Sequence, residues 1–155
     1  MNTTKNISIQ ALVIAILLST PAYADSSDGI VLIKSNNSVT ATIDKLETVL
    51  KNKGMTIFKR VDHTAGAEKA GLRLRPTELL IFGNPKVGTP LMLCSQTAAL
   101  DLPQKALAYK DENGQVWLAY NDPAYMEKRH NIKGCEKQLQ EVSKALAKFA
   151  KVVTE

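Results

Sequence analysis

The sequence predicts an α+β domain whose strands neighbour one another through hairpins and whose helices gather on one face. Three observations carry that expectation. Apolar residues at period two and at helical spacing follow one another in the order β-α-β-β-α-β-β-α. The pair Asn113-Gly114, set between two strand-like runs, marks a hairpin. The C-terminal stretch repeats Leu139, Val142, Leu146, Phe149 and Val153 at the spacing of one long amphipathic helix. Hairpin-linked strands with segregated helices define the α+β class.

Each element has its own signal. Gly29 to Ser35 is rich in β-branched residues and reads as the first strand. Asn36 and Asn37 turn the chain, Ser38 caps a helix, and Val39, Ile43, Leu46 and Leu50 form its apolar face. Gly54 ends that helix. Met55, Ile57, Lys59 and Val61 then alternate against Thr56, Phe58, Arg60 and Asp62 as a second strand. An Ala-rich piece from His63 to Gly71 predicts one or two helical turns. Thr77 to Phe82 is the third strand, and Gly83-Asn84-Pro85 breaks it. Pro90 suits the first turn of a short helix marked by Leu91, Cys94 and Ala98, ending near Leu100. Ala106 to Tyr109 and Gln115 to Tyr120 are the hairpin strands about the turn Asp111 to Gly114. Asn121-Asp122-Pro123 opens a helical turn through His130, and Gly134 precedes the final helix. No repeat, low-complexity tract or interdomain linker interrupts the chain.

The N-terminus predicts export. Lys5, the apolar run Ala11 to Leu18, the break Ser19-Thr20-Pro21 and the small residues of Ala22-Tyr23-Ala24 form a signal-peptidase pattern before Asp25. The run is shorter than the ~20 residues that span a bilayer, so residues 1–24 read as a cleaved signal with no stable membrane anchor afterwards. Residues 25–155 then form a single periplasmic or secreted domain, large enough for its own core. The net charge of +5 is mild, dispersed along the chain and reduced by one when Lys5 leaves. No aromatic stacking motif accompanies it, which argues against nucleic acid. Cys94 and Cys135 make an even pair in an oxidising compartment. They read either as a disulfide worth ~3–4 kcal/mol or as two buried thiols, while a metal site lacks the ligand spacing.

Three constellations could carry chemistry. Gly83 to Thr89 joins a strand to a helix and approaches a phosphate-binding loop, but the Lys that should precede Thr89 is missing, which excludes a nucleotide triphosphatase. A weaker reading remains, in which backbone N–H groups at the helix start hold an anion beside Lys86. Asp62-His63 offers a general acid or base, with Asp101 as its orienting carboxylate. Asp101-Leu102-Pro103 and Tyr120 to Pro123 place polar groups at strand ends, where pocket mouths form.

Taken together, His63, Ala67, Gly71, Leu74, Pro76-Thr77, Phe82 to Pro85, Gly88-Thr89, Asp101 to Pro103 and Tyr120 resemble the pattern of domain-of-unknown-function family 302. The resemblance runs from about Gly29 to Lys151. It implies a TATA-binding-protein-like fold, with one curved antiparallel sheet carrying helices on a face, and a tendency to form homodimers. It supplies no reaction and no cofactor. His63, Asn84, Thr89 and Asp101 are the polar members of the pattern. Cys94 and Cys135 lie outside it, which favours a local stabilising bond.

The expected function is a non-enzymatic binding or accessory protein holding a small, anionic ligand near Asn84, Lys86, Gly88 and Thr89, with His63, Asp101 and Tyr120 around it. One alternative is a hydrolase- or lyase-like enzyme in which His63 works as acid or base with Asp101. It requires the two side chains within hydrogen-bond reach. The other is an envelope interaction module, which requires an exposed apolar patch.

Overall fold

A computed structural model describes residues 29–155. The predicted signal, residues 1–24, lies outside the described residues. Five strands, β1 (Ile30–Ser35), β2 (Thr56–Asp62), β3 (Thr77–Gly83), β4 (Gln104–Lys110) and β5 (Val116–Asn121), form one sheet in the order β1-β5-β4-β3-β2. Every neighbouring pair is antiparallel. Between them lie helices α1 (Val39–Asn52), α2 (His63–Lys69), α3 (Pro85–Cys94), α4 (Pro123–His130) and α5 (Glu136–Thr154), with a 3₁₀ turn over Gln96–Leu100. The α+β class holds.

Strands β1 and β2 stand at opposite edges of the sheet, so α1 must cross its full width to join them. Helix α1 starts where the Ser38 side chain accepts a hydrogen bond from Ala41 N. It ends where Gly54, at φ +70°, lets Met55 N reach back to Leu50 O. Its Val39, Ile43, Leu46 and Leu50 are buried against Leu80, Phe82, Ala106, Ala108 and Leu118 of the sheet. Helix α5 lays Leu139, Val142, Leu146, Ala150 and Val153 onto the same core. Each of these Val, Ile and Leu side chains contributes about 1.5–3 kcal/mol on burial.

Two local expectations change. The alternation predicted for β2 breaks at Phe58, where the register with β3 slips by one residue between Ile57 and Lys59. Ile57 pairs with Phe82 and Arg60 with Leu80, so Arg60 continues the helix-facing side and Lys59 leaves it. A bulge turns every later side chain to the opposite face. Arg60 then bonds Glu78 and Asp44, which raise its pKa against the opposing effect of burial.

The second change concerns the helix expected to start near Pro90. Helix α3 begins five residues earlier, at Pro85, because Asn84 caps it and Pro85 fits the first position. Pro90 therefore sits inside α3 and cannot donate to Lys86 O. The helix closes at Cys94, and the residues up to Leu100 form the separate 3₁₀ turn.

Candidate functional site

The space between α3 and α5 opens into a cavity of about 500 Å³. Its floor is the helix-facing side of β3 and β4 at Phe82 and Gln104. Leu91 and Met92 of α3 wall one side, and Val142, Leu146 and Phe149 of α5 the other. Leu102-Pro103, joined by a cis peptide bond, and Met55 complete the lining. The bulge re-aims Phe58 to the rim, where its ring packs beside Gly83; a Cβ on Gly83 would meet that ring at 3.4 Å. The walls are predominantly apolar. Polar groups gather at the exposed rim as Asn84, Lys86, Thr89, Gln138 and Glu141.

Asn84, Lys86, Gly88 and Thr89, the residues expected around a ligand, all line this cavity. The anion-binding argument attached to them fails on the backbone. Lys86 N is bonded by the Asn84 side chain, and Val87 N and Gly88 N both donate to Asn84 O. Pro85 has no N–H. The start of α3 therefore offers no unbonded amide in its first turn, and a helix N-terminus attracts anions through such amides.

The other expected members lie elsewhere. His63 is exposed as the first residue of α2, and Asp62 spends its carboxylate capping that helix at Ala65 N. Asp101 is engaged by His130 Nε2 at 2.6 Å and by Arg129 Nη1 at 3.2 Å, not by His63. The acid–base pair of His63 with Asp101 is not assembled: the carboxylate belongs to the other histidine. Tyr120 is buried on β5 and borders a far smaller void beside Phe82, Leu118 and Phe149.

Cys94 and Cys135 form a disulfide across 41 positions, with Cα atoms 6.4 Å apart. It ties the last residue of α3 to the residue preceding α5, so the two cavity walls are covalently joined at one end. No group of three or more metal-ligating side chains occurs among the described residues.

Sequence reasoning missed Met55, Phe58, Met92, Leu102 and Gln104 as lining residues. Phe58 could not be placed without the bulge. Met55 read as an ordinary strand residue, and Leu102 entered only within the Asp101-Leu102-Pro103 motif, where Asp101 was the candidate. Gln104, a polar residue two positions ahead of Ala106 and Ala108 in one strand register, was the one local signal available.

With this geometry in hand, comparison with known proteins gives three findings. The sequence model of the family described as "Domain of unknown function DUF302" matches residues 31–150. A crystal structure of an uncharacterized conserved DUF302 protein from Bacillus stearothermophilus superposes with a TM-score of 0.74 at 19% identity, covering 83% of this chain and 100% of that one. At that identity the likeness concerns the fold alone. The chain is also 50% identical over 112 residues to proteins named "Fluoride-specific ion channel FluC 1" of Brucella suis biovar 1 (strain 1330) and "Fluoride-specific ion channel FluC 2" of Brucella melitensis biotype 1. The match covers 72% of this chain but 44% and 42% of those relatives. No helix among the described residues is long and apolar enough to cross a membrane.

Proposed function

This chain belongs to the DUF302 family, and from that premise we propose that it is an exported binding or accessory protein whose ligand is an apolar small molecule held between α3 and α5. One observation carries the reading: the cavity of about 500 Å³ at Asn84, Gly88 and Thr89, walled by Leu91, Met92, Val142, Leu146 and Phe149. Its size falls within the range typical of small-molecule sites, and its composition of apolar walls with a polar rim matches them as well. An inorganic anion such as fluoride would lose its hydration there with no unbonded amide of α3 to replace it. In the Brucella relatives, the matched stretch would then serve as a ligand-binding module attached to a channel protein.

The test is saturable binding of the neutral fluorophore N-phenyl-1-naphthylamine, whose emission rises in apolar surroundings. One molecule per chain is expected, and Ala145→Trp, which places a large ring in the cavity wall, should abolish it. Wild-type protein that leaves the dye unchanged, or an Ala145→Trp variant that binds it normally, overturns the reading.

A second reading, self-association, is supported by the opposite face of the sheet. Register places Val61, Leu79, Leu107, Ala119 and Leu32 in one row across all five strands, apolar from edge to edge. Strands of six or seven residues in a five-stranded sheet span a face of about 20 by 24 Å. That is about 480 Å² per partner, at the low end of specific interfaces. The row is aliphatic on both sides of Leu107, which suits contact with a second copy of the same face.

A further inference from the structure

We propose that Gln104 is the recognition group of the cavity, and that the ligand is an uncharged molecule with an apolar body and one terminal hydroxyl or carbonyl. The inference rests on the cavity reading above and specifies its ligand.

Gln104 opens β4 on the helix-facing side, paired with Phe82, and the residue is 7% exposed. A glutamine that deep normally has both ends of its amide satisfied. Here Nε2 points to Met126 Sδ at 3.9 Å, a weak acceptor, and among the described residues none donates to Oε1. Yet no fully buried side-chain nitrogen or oxygen among the described residues lacks a partner. Oε1 therefore keeps some accessible surface, and the space Gln104 borders is the cavity. The amide stands as a polar end on an otherwise apolar floor beside Phe82, Leu102 and Pro103.

That arrangement selects by penalty. A pure hydrocarbon filling the cavity would strip water from the Gln104 amide and return nothing, leaving a buried group unpaired. A hydroxyl gives a donor to Oε1, and a carbonyl accepts from the amide N–H not aimed at sulfur. A carboxylate or phosphate fits badly, because among the described residues Lys86 is the only cationic side chain in the lining, and it is exposed at the rim. The ligand thus enters polar end first, with its chain against Leu91, Val142, Leu146 and Phe149.

The experiment is displacement of N-phenyl-1-naphthylamine by four twelve-carbon competitors: 1-dodecanol, 2-dodecanone, 1-chlorododecane and dodecanoate at pH 8. The alcohol and ketone are expected to displace the dye at concentrations about tenfold below the other two. Gln104→Met, close in volume, should compress the four competitors to within about twofold of one another, each taken relative to the variant's own dye affinity. A general structural role for Gln104 would lower all affinities together and leave their order unchanged. Equal displacement by all four in wild type, preference for dodecanoate, or an unaltered preference in Gln104→Met would each overturn the assignment while the cavity reading stands. Absence of dye binding in wild type would remove the cavity reading itself. Should Gln104→Met fail to fold, the wild-type order of competitors decides the matter alone.

Discussion

Nε2 of His130 lies 2.6 Å from Oδ2 of Asp101, and the imidazole carries only 3% side-chain exposure. Its Nδ1 meets Thr97 Oγ1 at 3.2 Å, and its backbone oxygen accepts from Ser95 Oγ. The network joins the end of α4 to the 3₁₀ turn and to the segment entering β4. Breaking a buried, hydrogen-bonded pair from one side strands the other member. Asp101→Ala is expected to destabilise the domain by about 3 kcal/mol, read by urea denaturation. His63→Ala, at an exposed site, should change stability by less than about 0.5 kcal/mol. Equal effects would contradict the assignment of Asp101 to His130.

The Cys94–Cys135 bond closes a loop across 41 positions. On the chain-entropy model a loop of that length is worth about 4 kcal/mol. The double variant Cys94→Ser with Cys135→Ser should lose that much in chemical denaturation, and reduction of the wild type should match it. Because the bond also joins α3 to α5, dye affinity in the cavity should fall on reduction. A melting curve indifferent to dithiothreitol would argue against the bond.

Trp117, the single tryptophan, donates from Nε1 to Asp111 Oδ2 at 2.8 Å. Asp111 also accepts from Asn113 N and Gln115 N, organising the hairpin around Gly114 at φ +82°. The Trp117 bond, then these backbone amides, hold the Asp111 pKa below its ordinary value. A carboxylate depressed in the folded state contributes stability that is present above its unfolded pKa of about 3.9 and lost as pH falls through the folded value. Tryptophan emission should therefore stay constant from neutrality to about pH 4 and shift below it. Asp111→Asn should flatten that acid transition. A shift centred near neutrality would point to another group.

Leu107 is the centre of the apolar row on the sheet face opposite α1 and α5. If that face joins two copies, sedimentation equilibrium should give a dimer for the wild type and a monomer for Leu107→Asp, with dye binding intact in both. A monomeric wild type at tens of micromolar would exclude the interface.

Much of this architecture was legible before any coordinates. The caps Ser38, Gly54 and Gly114, the stripe of α5 and the strand composition are local signals, and local signals survive tertiary packing when every level agrees. The β2 alternation misled because a bulge is set by pairing with β3, not by the strand's own pattern. The start of α3 was misplaced because Pro90 reads as a first-turn proline, whereas the Asn84 cap and Pro85 at the first position already start the helix upstream.

The candidate site divides along the same line. Chemical type belongs to the residues themselves, so Asn84, Lys86, Gly88 and Thr89 could be singled out as a group close in the chain. Which histidine holds Asp101 and which side chains face Gln104 depend on contacts between residues remote in sequence, whereas the amides of α3 are bonded locally, by Asn84. His130 reaches Asp101 across 29 positions, and the disulfide spans 41. No periodicity encodes such pairings. They arise when the fold sets α3 against α5, and there a loop read as an anion cradle becomes the rim of an apolar cavity.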